Sequence, residues 1–158
     1  MITLRTVMRT FIKMLLTPCF LISSVVLAFS AQAADFVSVT KDNINVRTGP
    51  GTNHPVHMEL FAGYPLKVVS REGNWLKVTD FENDTGWIEA SLTRTGDTVI
   101  VKSQKSINLR SEPKTDSSIV VSVDRGVVLK KIGMQGQWIH VRHNSGVSGW
   151  IHQNLIWP

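Results

Sequence analysis

From residue 36 onward, apolar residues come in brief runs that change face every second position. In Trp75-Leu76-Lys77-Val78-Thr79, Leu76 and Val78 share one face, and Trp75, Lys77 and Thr79 the other. Trp138-Ile139-His140-Val141-Arg142 repeats that order. A period of two marks a strand with one buried face. The runs are rich in Val, Ile, Leu and Trp and are broken by Gly, Pro, Asn and Asp, and no stretch carries a helical period. Strands are predicted at residues 36–40, 44–47, 56–60, 66–71, 75–79 and 86–89. A second set falls at 98–102, 107–110, 119–123, 128–133, 138–142 and 149–152. Gly73 and Gly136 precede the two Trp strands, where a glycine supplies the positive φ of a tight hairpin.

The two sets are one pattern written twice. Residues 44–95 lie over residues 107–158 without a gap at an offset of 63, with 15 of 52 positions identical. Among these are Ile44/Ile107, Asn45/Asn108, Arg47/Arg110, Trp75/Trp138, Gly86/Gly149, Trp87/Trp150 and Leu92/Leu155. Solenoid repeats are about 20–50 residues long and need neighbours to bury their faces. This longer unit predicts a duplicated module with its own core, spanning 34–95 and 96–158 and joined by a short linker from Arg94 to Asp97. A module of about 60 residues is marginal on burial alone. A closed β-barrel is therefore expected, which also removes sheet edges.

Residues 1–33 are of another kind. Arg5, Arg9 and Lys13 precede a mostly apolar stretch from Met14 to Phe29, and Ala31-Gln32-Ala33 has the small-x-small form of a signal-peptidase site. Export with cleavage after Ala33 is expected over a retained anchor, because the apolar stretch, interrupted by Pro18, is shorter than the roughly 20 residues of a spanning helix. No stable membrane insertion should then remain. Cys19 is the single cysteine and sits poorly as a lipidation site after Pro18, so the cleaved chain is expected to hold no thiol, disulfide or thiolate metal site.

Removing that segment also changes the charge. The formal +5 of the whole chain falls to +2, from 14 Lys+Arg and 12 Asp+Glu. Residues 34–95 hold 6 basic and 8 acidic groups, and residues 96–158 hold 8 and 4. No dense basic stripe exists for nucleic acid. The opposite balances imply that the two copies do not bind one ligand equally.

Asn45-Val46-Arg47-Thr48-Gly49-Pro50-Gly51, Gly73-Asn74-Trp75 and Gly86-Trp87-Ile88 resemble the bacterial SH3-like domain. The second copy supplies Asn108-Leu109-Arg110-Ser111-Glu112-Pro113, Gly136-Gln137-Trp138 and Gly149-Trp150-Ile151. The likeness covers residues 36–158. It implies an all-β chain of two tandem small SH3-like β-barrels, each of five to six strands, with a long loop after the Asn-x-Arg strand. It also implies a non-catalytic role in the bacterial envelope, exported to the periplasm or cell wall, with peptidoglycan or envelope protein peptides as partners and no cofactor. Glu112 and Lys114 replace Gly49 and Gly51, so the second loop is expected to have less access to positive φ.

Six residues are candidates for ligand binding. Trp75 and Trp138 stand opposite the core-facing positions, where an indole either floors a groove or caps the barrel end. Trp87 and Trp150, flanked by Gly and Ile, are expected to favour the core, although in a groove they too would serve as aromatic plates. Arg47 and Arg110 either hold a ligand carboxylate bidentately or pin the following loop through its carbonyls, the latter being favoured. His140 and His152 could meet across strands as metal ligands, but the first copy has Lys77 and Glu89 there, a plausible ion pair, and no metal is expected. His54 and His57 are read as exposed loop residues.

Enzyme signatures are missing: no Gly-x-Ser-x-Gly, no His-Glu-x-x-His and no phosphate loop. The expected function is recognition of peptide or glycopeptide segments in shallow aromatic grooves. The alternative is an adaptor or stabiliser of an envelope protein complex.

Overall fold

A computed structural model describes residues 35–158. The leader, its cleavage point, Cys19 and the anchor alternative lie outside these residues. Each of the twelve expected strands is present. The first module consists of β1 (Phe36–Val39), β2 (Ile44–Arg47), β3 (Val56–Leu60), β4 (Pro65–Glu72), β5 (Trp75–Thr79) and β6 (Thr85–Glu89). A 3-10 turn, Ala90–Leu92, then leads into β7 (Thr93–Thr95). The second consists of β8 (Thr98–Val101), β9 (Ile107–Arg110), β10 (Ile119–Val123), β11 (Val128–Gln135), β12 (Trp138–Arg142) and β13 (Ser148–His152). A turn at Gln153–Leu155 precedes β14 (Ile156–Trp157).

Strands β7 and β14 are corrections to the expected five or six strands per module. Thr93-Arg94-Thr95 is polar and β14 has only two residues, so neither offers an apolar alternation to read. The expected linker is itself partly strand: Thr93, Arg94 and Thr95 pair with Val39, Ser38 and Val37 of β1. Only Gly96 and Asp97 lie between β7 and β8.

The sheets run β3-β2-β6-β5-β4-β1-β7 and β10-β9-β13-β12-β11-β8-β14. Laid flat, seven strands would place the outermost pair about 29 Å apart. Yet Val39 of β1, Val46 of β2, Leu60 of β3, Leu66 of β4, Leu76 of β5 and Ile88 of β6 share one buried cluster. The sheet therefore rolls around its own inner face. Val99, Leu109, Val123, Leu129, Val141 and Ile151 do the same in the second module. Rolling does not abolish the edges, since β3 and β7 remain at the ends of one sheet and β10 and β14 at the ends of the other.

Gly73 (φ 53) and Gly136 (φ 57) turn the long hairpins, as their positions predict. Both hairpins are irregular at the same place, between Val68 and Ser70 and between Lys131 and Gly133. The residues skipped by this bulge, Val69 and Ile132, are exposed.

The modules are not independent. Phe36 pairs with Lys67 and Thr98 with Lys130, so the first strands correspond at an offset of 62, and the second copy holds one more residue before its next strand. All four residues of β8 are buried. Val99 and Val101 face their own core, whereas Ile100 belongs to the core of the first module. Thr98 donates from Oγ1 to the Gly63 carbonyl at 2.6 Å, and its hydroxyl meets that of Ser38 at 2.7 Å. Trp157 packs edge-on against Phe36, and Arg125 lies over Phe81 while bonding Glu82 at 2.7 Å. Gly63 has Val128 and Thr98 close above it, while nothing stands near its equivalent, Gly126.

Candidate recognition surface

Strand alternation places the site on the outward faces of β2, β6 and β5. Ile44 and Val46 point inward, so Asn45 and Arg47 point outward. Gly86 and Ile88 are buried, which sends Trp87 and Glu89 out. Leu76 and Val78 are buried, and Trp75, Lys77 and Thr79 remain half-buried on the other side. Pairing sets Trp75 opposite Glu89, Lys77 opposite Trp87, and Trp87 opposite Arg47. A groove of about 420 Å³ runs over this face, lined by Lys41, Asp42, Asn45, Arg47, Trp75 and Glu89 among others. Its size falls within the range of small-ligand sites.

The second module builds the same face from β9, β13 and β12, with Trp138 opposite His152, His140 opposite Trp150, and Trp150 opposite Arg110. Here the rings touch. His140 lies on Trp150 with centroids 4.7 Å apart and planes 12° from parallel. His152 meets Trp138 edge to face at 5.5 Å. His152 Nδ1 accepts from the Asn154 amide at 3.3 Å, and Nε2 lies 3.0 Å from Gln137 Oε1. A neutral ring with its proton on Nε2 satisfies both contacts.

Several expectations change with this geometry. Trp87 and Trp150 are outside both core clusters, because the glycine and isoleucine beside each take the inward positions. His140 and His152 each face a tryptophan rather than each other, and among the described residues no group of three metal-ligating side chains forms. Lys77 and Glu89 likewise face tryptophans, and no ion pair joins them. His54 is half-buried rather than exposed, whereas His57 is exposed as expected but lies within β3 rather than in a loop.

The arginines are held by the loops that follow them. Arg47 Nη1 donates to the His54 carbonyl at 2.8 Å, and Arg110 Nη1 to the Ser117 carbonyl at 2.7 Å. Both loops are also closed at the base, by Thr48 N to Pro55 O and by Ser111 N to Ser118 O. Neither Gly49 nor Gly51 has positive φ, so the substitutions in the second loop remove no such conformation. What Gly49 provides is space for the His54 ring.

Sequence reasoning did not single out Lys41 and Asp42. They enter the groove from the turn after β1, where Asn43 takes φ 58 and Asp42 Oδ1 accepts the Ala62 amide at 2.8 Å. The Lys-Asp-Asn run is a turn signal, but nothing in it shows which way the turn leans.

The family model described as the bacterial SH3 domain matches residues 40–95 and again 103–158. Among curated proteins, the chain is 24% identical over 144 residues to YrvJ of Bacillus subtilis (strain 168), which is named as a candidate N-acetylmuramoyl-L-alanine amidase. That match covers 80% of this chain and 27% of YrvJ, so the chain spans about a quarter of that relative's length. Among solved structures, NlpC1 from Trichomonas vaginalis is similar at 18% identity and a TM-score of 0.34, over 82% of this chain and 47% of that one. An NlpC/P60 family protein from Bacillus cereus is similar at 13% identity and a TM-score of 0.35, over 77% and 55%.

Proposed function

The chain belongs to the bacterial SH3 domain family, and from that premise we propose that it is a non-catalytic binding module of the bacterial cell envelope. Its ligands are peptide or glycopeptide segments, with peptidoglycan the leading candidate. One observation carries this reading: the same outward constellation of Trp, Trp and Arg is built twice, as Trp75, Trp87 and Arg47 and as Trp138, Trp150 and Arg110. Six large side chains kept half-accessible on two equivalent faces suit recognition better than packing. The relative named for a wall-cleaving activity supports the wall as target.

Every described strand belongs to one module or the other. The two tryptophan-bearing faces pair no nucleophile with a base. Among the described residues, no helix is long and apolar enough to cross a membrane. Export to the periplasm or wall rests on the leader read from residues 1–33.

Co-sedimentation of residues 34–158, which hold both cores, with purified sacculi tests the reading. Retention at low salt supports it, and a protein left wholly in the supernatant contradicts it.

A second reading, an adaptor for an envelope protein complex, is favoured by β10. That edge strand is uncharged and exposes Ile119, Val120 and Val121, a surface open to strand addition by a protein partner. Crosslinking in intact cells that recovers one stoichiometric protein would support it.

A further inference from the structure

We propose that the two copies divide the ligand chemically: the second module's face takes a sugar ring, and the first module's groove takes the charged ends of a peptide. The inference rests on reading both faces as wall-binding surfaces, and it concerns what each face selects. The motivating difference lies at two positions. Lys77 and Glu89 in the first copy become His140 and His152 in the second, at the same places in the same strands.

In the first copy those positions carry both signs of charge. A peptide ammonium finds Glu89 and a carboxylate finds the remaining donors of Arg47, which bonds the loop through Nη1, while Lys77 stands on the same face opposite Trp87. Lys41 and Asp42 extend the same mixture along the groove. Opposite charges placed a few residues apart favour a zwitterionic ligand.

In the second copy the outward positions are Asn108 and Arg110 of β9, Trp138, His140 and Arg142 of β12, and Ser148, Trp150 and His152 of β13. No carboxylate stands among them, so an ammonium has no partner there. Four aromatic rings do stand there, and they are held in place. His140 is stacked on Trp150, His152 is set edge-on to Trp138, and both nitrogens of His152 are engaged. Aromatic faces carry partial negative charge and attract the polarised C–H groups of a sugar ring. Rings already held against one another bind such a ligand through the faces that the His140–Trp150 stack leaves uncovered, without first immobilising long side chains, a cost that the Lys77 and Glu89 pair would incur.

The test uses residues 34–158 and follows the tryptophan indole N–H signals by NMR. Two probes are titrated separately: the soluble tetramer of N-acetylglucosamine, and tetra-alanine with free termini. The tetramer is expected to shift Trp138 and Trp150 and to leave Trp75 and Trp87 in place, with tetra-alanine doing the reverse. The double variant His140→Lys, His152→Glu gives the second face the chemistry of the first. It should weaken the tetramer response by about tenfold or more, roughly the loss of one good aromatic contact. It should fold, because Lys and Glu already occupy the same strand positions in the first copy.

A tetramer that shifts no second-module indole, or shifts the indoles of both copies alike, overturns the division. So does a double variant that binds the tetramer unchanged. If sacculi are retained while the tetramer is silent, the division fails and the envelope reading stands. A tetramer bound at Trp138 and Trp150 without retention on sacculi supports the division and removes the wall as target.

Discussion

The ring of His54 occupies the space that a side chain on Gly49 would need: a Cβ there would lie 2.5 Å from Nδ1. In the second copy the equivalent pair is Glu112 and Ser117, with the bulk moved from one position to the other. The Ser117 hydroxyl lies 3.0 Å from the carbonyls of both Glu112 and Lys114 and shares its one proton between them. The loops thus keep one frame by exchanging volume. Gly49→Ala should cost about 1–3 kcal/mol through overpacking, and adding His54→Ser should recover part of that. Denaturant unfolding of the two single variants and the double measures the coupling. Strict additivity would show that the positions do not share space.

Ile100 is 1% exposed and completes the core of the module to which it does not belong. Ile100→Ala should therefore destabilise by about 2–5 kcal/mol, the range for deleting a buried aliphatic side chain. The loss should appear in the first module, as faster amide exchange at Val39, Leu66 and Ile88. Faster exchange confined to β8–β14 would contradict the shared packing.

Tyr64 is the chain's one tyrosine, so its titration can be read without overlap. Burial, and then the Asp80 carboxylate that accepts its hydrogen bond at 3.1 Å, push the phenol well above its usual range. The folded state then holds the proton where the unfolded state releases it. Stability should be unaffected below about pH 10 and should fall as pH rises beyond it. Phenolate absorbance should stay absent until the protein unfolds. A smooth titration near pH 10 in the folded protein would contradict the buried contact.

Arg47 and Arg110 each tie a loop through one charged hydrogen bond. Arg47→Gln should speed amide exchange within residues 48–55 and leave β4 and β5 protected. The expected cost is at most about 1.5–3 kcal/mol, the range for a charged donor, and less here because the site is partly exposed. Unchanged exchange in the loop would assign Arg47 to the ligand alone.

Most of the fold was legible because alternation, punctuation and duplication agree. Leu76 and Val78 face in, Gly73 turns the hairpin, and the second copy repeats each signal. The strands missed, β7 and β14, carry no apolar rhythm and exist through their pairing with β1 and β8. The outward faces of Trp75 and Trp138 followed from the same alternation. Those of Trp87 and Trp150 did not, since indoles flanked by glycine and isoleucine look like core until alternation is applied to β6 and β13. The residues that dock the modules on one another were invisible for a similar reason. Ile100 reads as one more apolar strand residue, and only the assembled sheet shows that it points away from its own core.

Sacculus binding by the double variant Trp75→Ala, Trp138→Ala tests the account most directly. Both indoles are half-exposed and lie outside the core clusters, so the unfolding midpoint should barely move. Retention should fall by about tenfold or more if these rings are the contact surface. A variant that folds normally and binds sacculi as tightly as the parent would contradict it.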